Sequence, residues 1–132
     1  MNKKQSIKKS VPAKTKKPDK VLLYHNTRCT KSREACSILE EEGIAFDTIE
    51  YLKKPLNQAE IKALLKKLKL KAEALVRKKE PLFIEHFSSK KFTETQWIKL
   101  LADNPILIER PIIVKGNKAI IGRPTEKIWE IL

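Results

Sequence analysis

Beyond residue 20 the apolar positions switch between two periods, and each switch marks an element. Val21–His25 is a short apolar run that reads as a buried strand. From Thr30 to about Glu42 the stripe Ala35, Ile38, Leu39 recurs at helical spacing, and Gly43 stops it. Residues Ile44 to Tyr51 favour strand again, through Phe46, Thr48 and Ile49. Pro55 opens a loop. Asn57-Gln58-Ala59-Glu60 has the form of a capping box ahead of the stripe Ile61, Leu64, Leu65, Leu68. Residues 72–87 read as short helical pieces, with Pro81 restarting the chain. Thr93-Glu94-Thr95-Gln96 starts a further helix whose apolar face is Trp97, Leu100 and Leu101, and Asn104-Pro105 ends it.

The chain then changes character. Pro111-Ile112-Ile113-Val114 and Ala119-Ile120-Ile121 flank Gly116-Asn117, which is a hairpin signal. Gly122 breaks the second run. Pro124 suits the first turn of a last helix with Ile128, Ile131 and Leu132 inward. A strand, a helix and a strand in that order predict a right-handed parallel crossover. The sum is an α/β chain: β-α-β, a helical insertion, then β-β-α around a mixed four-stranded sheet. That is the plan of a thioredoxin-like fold.

Charge alters the picture at one end only. The net charge is +13, but residues 1–20 hold eight lysines against Asp19 alone, so +7 of it lies there. With Pro12, Pro18 and little apolar content, 1–20 reads as a disordered tail that cannot offset its ordering entropy. Such a tail can attract nucleic acid or anionic lipid weakly, though a solvated tail without a specific partner is the preferred reading. The tail has no hydrophobic middle, so it is not a secretory signal, and no apolar run reaches membrane length. A cytoplasmic setting is the expectation, and structural disulfides are rare there. The full chain is 41% hydrophobic, enough for residues 21–132 to pack as one domain without disulfides or metal.

Candidate chemistry centres on Cys29, at the junction of the first strand and first helix. A thiol there faces unpaired helix N–H groups and the positive dipole end, which favours thiolate, the nucleophilic form. Arg28, Lys31 and Arg33 make the junction electropositive and argue against a merely structural cysteine. Cys29-Thr30-Lys31-Ser32 is a CxxS motif: the motif lacks the second thiol that would release a mixed disulfide, so it needs an external thiol to finish the reaction. Ser32 can donate a hydrogen bond to the sulfur. Cys36 lies seven residues on, about 10.5 Å along a helix, against the roughly 7 Å a disulfide allows. It reads as a small core residue rather than a resolving thiol. His25 either supports the thiolate electrostatically or is a satisfied, partly buried histidine. Neither His25 nor His86 has metal-ligand spacing to a second ligand. Arg110, before Pro111, and Arg123, in Gly122-Arg123-Pro124, bracket the hairpin and carry forks suited to tetrahedral oxyanions. Spacing alone makes Arg77 a surface charge.

The segments 24–33 (Tyr24-His25-Asn26-Thr27-Arg28-Cys29-Thr30-Lys31-Ser32-Arg33), Ala74-Leu75-Val76-Arg77-Lys78, Asn104 to Val114 and Ile121-Gly122-Arg123-Pro124, in that order, resemble the arsenate reductase (glutaredoxin-dependent, ArsC-like) family. The wider group includes the Spx-type transcriptional regulators. The resemblance covers Val21 to Leu132. It implies that Cys29 is the nucleophile, with His25 linked to thiolate formation and Ser32 bonding the sulfur. It makes Arg77, Arg110 and Arg123, with Thr30, the oxyanion-binding set, and places Pro111 on the cis-proline of thioredoxin-like folds. The implied reaction is reduction of arsenate through a Cys29 thiol-arsenate adduct. Glutathione as co-substrate and glutaredoxin, or thioredoxin in a variant, would resolve that adduct. No bound cofactor, no metal, no membrane and a monomer are the accompanying expectations. Cys36 and the lysine tail are not part of the family pattern. An Spx-like regulator that binds RNA polymerase, or a thiol-transferase of the same fold, is the alternative. The regulators typically lack the arginine of Gly122-Arg123-Pro124 and often carry CxxC, so Arg123 and the CxxS favour the enzyme.

Overall fold

A computed structural model describes residues 20–132, and the tail expected over 1–20 lies outside them except for Lys20. Four strands form one sheet in the order β2-β1-β3-β4. Strands β1 (Val21–Tyr24) and β2 (Phe46–Ile49) run parallel, while β3 (Ile112–Lys115) is antiparallel to β1 and to β4 (Lys118–Ile121). Helix α1 (Thr30–Glu41) makes the crossover between the parallel pair. The insertion holds α2 (Gln58–Leu68), a 3₁₀ turn at Ala72–Leu75, α3 (Pro81–His86) and α4 (Glu94–Asp103). This is the thioredoxin-like α/β plan.

The strands alternate as a sheet buried on both faces must. Val21, Leu23 and Ile113 pack with Ala35 and Leu39 of α1 and with Ile128 and Ile131. Ile112 and Val114 turn the other way, onto Ile61, Leu64, Leu65, Trp97 and Leu101 of the insertion. The insertion thus covers the face that α1 leaves open. An isolated antiparallel bridge, Val76 to Ile108, ties it to the approach of β3.

Local chemistry fixes the ends. After α1, Gly43 (φ 69) turns left-handed. Its N–H reaches Glu40 O at 3.1 Å and Ile44 N–H reaches Leu39 O at 3.0 Å, a Schellman closure. That closure takes Ile44 into the cap and shortens β2 at its start relative to the expected 44–51. Both expected capping boxes form, at Asn57/Glu60 and Thr93/Gln96. Gly116 (φ 63) sits at the first central position of the hairpin turn, as type II′ requires. The last helix differs from expectation. Thr125–Glu130 is a 3₁₀ segment with Pro124 at its cap rather than in its first turn, closed by Lys127 N–H to Pro124 O at 3.0 Å.

Candidate active site

Both parallel strands run toward one end of the sheet, and the site lies where the chain leaves them. After β1 the chain turns through residues 25–29. His25 N–H still donates to Ile49 O at 2.9 Å, so the ladder holds the start of this loop. Asn26 folds it. Its side-chain Oδ1 accepts from Arg28 N–H at 3.0 Å, an Asx turn, and its carbonyl accepts from Cys29 N–H at 2.9 Å. Asn26 is absent from the sequence-based candidates, although Asn two residues before a loop amide is the usual signal for such a turn.

Cys29 is the N-cap of α1, in extended conformation (φ −95, ψ 123), and is 8% exposed. At that position the orphan amides of Lys31 and Ser32 face the sulfur, without closing a cap hydrogen bond of ordinary geometry. The first turn of α1 holds no carboxylate to compete for them. Burial pushes the thiol pKa up, but the Ser32 N–H, the Arg110 side chain and the Lys31 N–H together pull it below its ordinary value. The balance favours thiolate, as the junction geometry predicts.

Ser32 is fully buried, and its hydroxyl does not go where the sequence places it. Its Oγ lies 2.6 Å from His25 Nδ1 and accepts from Asn26 N–H at 3.0 Å. The hydroxyl therefore staples the loop to α1, and it is the backbone N–H of Ser32 that serves the sulfur. His25 acts through Ser32 as well. Burial foremost, with Arg33 adding to it and Glu50 opposing, lowers its pKa, so the ring is neutral at neutral pH. Of the two readings open for His25, the buried, hydrogen-bonded ring fits the satisfied histidine. Thr30 is exposed at the first helical position, and its hydroxyl accepts from Arg33 at 3.4 Å; no hydrogen bond joins it to the sulfur.

The hairpin brings two arginines to Cys29. Gly122 packs flat on Pro111, where a Cβ would meet Pro111 Cγ and Ile113 Cδ1 at 3.1 Å, and its N–H donates to Pro111 O at 2.8 Å. That close approach sets Arg123 beside Arg110. Arg123 Nε donates to Arg110 O at 2.6 Å, and its Nη2 lies 3.7 Å from Cys29 Sγ. The Arg110 guanidinium neighbours both the sulfur and the Tyr51 hydroxyl. Its Nε and Nη1, and the Tyr51 Oη, are buried without a hydrogen-bond partner of good geometry among the described residues. The peptides Arg110-Pro111 and Arg123-Pro124 are both cis, and the family resemblance marks only the first.

Arg77 is placed differently. Its guanidinium pairs with Glu80 at 2.7 Å and Glu109 at 3.6 Å, and the side chain is 22% exposed. It is neither a solvated surface charge nor an open fork, since two carboxylates already occupy it. Cys36 faces the α1 core among apolar neighbours, and burial with the Glu40 charge raises its pKa. Both cysteines are free, and α1 runs unbroken between them.

Fold and site together define a thioredoxin-like protein whose Cys29 thiol sits under guanidinium groups. The ArsC family matches residues 24–131. The Escherichia coli (strain K12) protein YfgD, whose printed name assigns no activity, is 42% identical over 114 residues, spanning 85% of this chain and 96% of that protein. A Neisseria meningitidis protein named arsenate reductase is 39% identical over 114 residues, with 85% and 97% covered. The solved structure titled arsenate reductase from Vibrio cholerae superposes with a TM-score of 0.83 at 38% identity, covering 88% of this chain and all of that one. The chain belongs to the ArsC family.

Proposed function

We propose that this protein is an oxidoreductase that reduces arsenate to arsenite through Cys29. The observation that carries the reading is the lowered thiol beneath two arginines, with three buried polar atoms, Tyr51 Oη and Arg110 Nε and Nη1, left unpaired. Buried polar atoms are normally partnered. Arginine N–H groups gathered above a thiolate lack acceptors, and a tetrahedral oxyanion supplies them. Relatives named arsenate reductase support the choice of arsenate.

In this reading the Cys29 thiolate attacks arsenic(V). An As–S bond forms, an As–O bond breaks, and the oxygen leaves as water after taking up protons. The anion's charge is held meanwhile by Arg110 and Arg123. Because CxxS offers no second thiol in the motif, glutathione attacks the adduct and glutaredoxin completes the step. Two thiols are oxidised to a disulfide as arsenic goes from +5 to +3, and arsenite is released. Exposed Thr27, Arg28 and Thr30 around the buried sulfur leave an approach for that external thiol. The regulator alternative gains nothing from the site, since Arg123 is turned to the sulfur.

The test is arsenate-dependent NADPH oxidation in a glutathione, glutaredoxin and glutathione-reductase system, run beside a thioredoxin system. Wild type turns over with glutaredoxin and Cys29→Ser does not. A wild type inert to arsenate with both donors removes the proposal.

A further inference from the structure

Tyr51 follows β2, where a turn closed by Lys53 N–H to Glu50 O at 2.9 Å swings the chain off the sheet edge. The residue is 1% exposed and its ring belongs to the insertion-side core. Packing alone explains a ring there but not a phenol. A phenylalanine would fill the same volume without burying a hydroxyl that has no partner. Arg110 is the close polar neighbour of that hydroxyl, and the charges of Cys29 and Arg77 reach it. Of these, Arg77 is engaged by Glu80 and Glu109, whereas Arg110 leaves Nε and Nη1 unpaired.

The deficit is specific. Tyr51 brings one donor, and Arg110 Nε and Nη1 bring more. The only free acceptor among the three unpaired atoms is the phenol oxygen, which can take one of them. Even a tyrosine–arginine hydrogen bond would leave donors over. What is missing is a compact group that presents several acceptor oxygens beside the sulfur. Resting on the oxyanion reading above, we infer that the Tyr51 hydroxyl is a direct ligand to the tetrahedral oxyanion over Cys29, donating to an oxygen that Arg110 also holds. Burial first, and the Cys29 charge in addition, raise the Tyr51 pKa against the opposing pull of Arg110 and Arg77. Tyr51 therefore stays a protonated donor where the thiol does not. It is the one neutral member of the cradle, and as donor and acceptor it accommodates an oxyanion oxygen that is itself protonated.

The experiment uses the full chain and two probe anions, arsenate and sulfate. Each is titrated for protection of Cys29 against iodoacetamide, followed by the mass of the Cys29 peptide. Tyr51→Phe keeps the wild-type urea midpoint or raises it, because an unpaired buried hydroxyl is gone. It weakens both anions about tenfold or more, the worth of a hydrogen bond to a charged group. Equal protection of wild type and Tyr51→Phe leaves the oxyanion site standing and overturns the role of Tyr51. A fall in the urea midpoint with unchanged anion affinity overturns it too, by showing that the hydroxyl serves the fold. Wild-type Cys29 unprotected by either anion removes the oxyanion reading itself, and the inference with it.

Discussion

Ser32→Ala isolates what holds the reactive loop. In the folded protein the Ser32 hydroxyl bonds His25 Nδ1 at 2.6 Å and Asn26 N–H at 3.0 Å, and the residue is 0% exposed. Alanine removes that oxygen and leaves two buried polar groups without partners. Each costs about 1–3 kcal/mol, so the loss is about 2–6 kcal/mol. That is a large share of the roughly 5–15 kcal/mol a domain of this size has. With a urea m-value of about 2 kcal/mol per molar, the midpoint falls by about 1–3 M.

A double-mutant cycle separates this staple from a hydroxyl that acts on the sulfur. With the ring neutral, the single hydrogen between Nδ1 and Oγ belongs to one atom or the other. If Ser32 donates to Nδ1, nothing is left for the thiolate. If Nδ1 donates, the Ser32 hydrogen is free to reach the sulfur. The staple predicts the same loss for Ser32→Ala in wild type and in Cys29→Ala, additive within about 0.5 kcal/mol. A bond to the thiolate predicts a coupling of about 1.5–3 kcal/mol at a pH where Cys29 is ionised. Unfolding by urea under reducing conditions measures all four proteins. A loss below about 1 kcal/mol, or a coupling above about 1.5 kcal/mol, refutes the loop-staple assignment.

Three further outcomes follow from the same geometry. In a Cys36→Ala background, iodoacetamide reactivity of Cys29 is full above the ordinary thiol pKa of 9.0 and falls away only as pH drops through the lowered folded value. The linked stability has the same sign: it is present above the unfolded thiol pKa and lost as pH falls through the folded one. Arg123→Gln removes a cation 3.7 Å from the sulfur. Such a charge is worth about 1 kcal/mol in water and about 4 kcal/mol at an effective dielectric of 20. Its partial exposure puts the effect near the lower figure, so the reactivity midpoint rises by about one pH unit; an unmoved midpoint counts against Arg123. Cys36→Ala itself keeps the arsenate-dependent rate within about twofold, because α1 cannot bring Cys36 to Cys29 without unwinding. Strict dependence on Cys36 in the coupled assay would show that it does unwind.

The elements that could be read from sequence are those whose signals are local. Two capping boxes, the Gly43 stop and the Gly116 hairpin turn each involve residues within a few positions, and each forms as its pattern dictates. Less legible are ends set by packing or by an unusual backbone. Helix α2 closes on Lys69 at φ 58, a left-handed site filled by lysine where glycine or asparagine is the usual marker. Strand β2 loses Ile44 to the cap of α1 and Tyr51 to the turn beyond it, although both carry strand-favouring side chains.

The site divides along the same line. Cys29 was legible because its strand-to-helix junction is a property of ten consecutive residues. The helix amides and the lowered thiol pKa follow from that junction. The partners of the Ser32 hydroxyl were not legible for the opposite reason. A serine three residues into a helix can reach the cap or turn back to the preceding loop, and only the tertiary position of His25 and Asn26 decides which. Arg77 has the right charge in the matching motif, yet its role depends on Glu80, three residues away, and on Glu109, which arrives through the bridge between Val76 and Ile108. On the proposed oxyanion reading, two carboxylates on the Arg77 guanidinium leave the anion to Arg110 and Arg123. Glu80 and Glu109 then belong to the electrostatics of that proposed site, because they neutralise a cation that would otherwise compete with the hairpin arginines for the same oxygens.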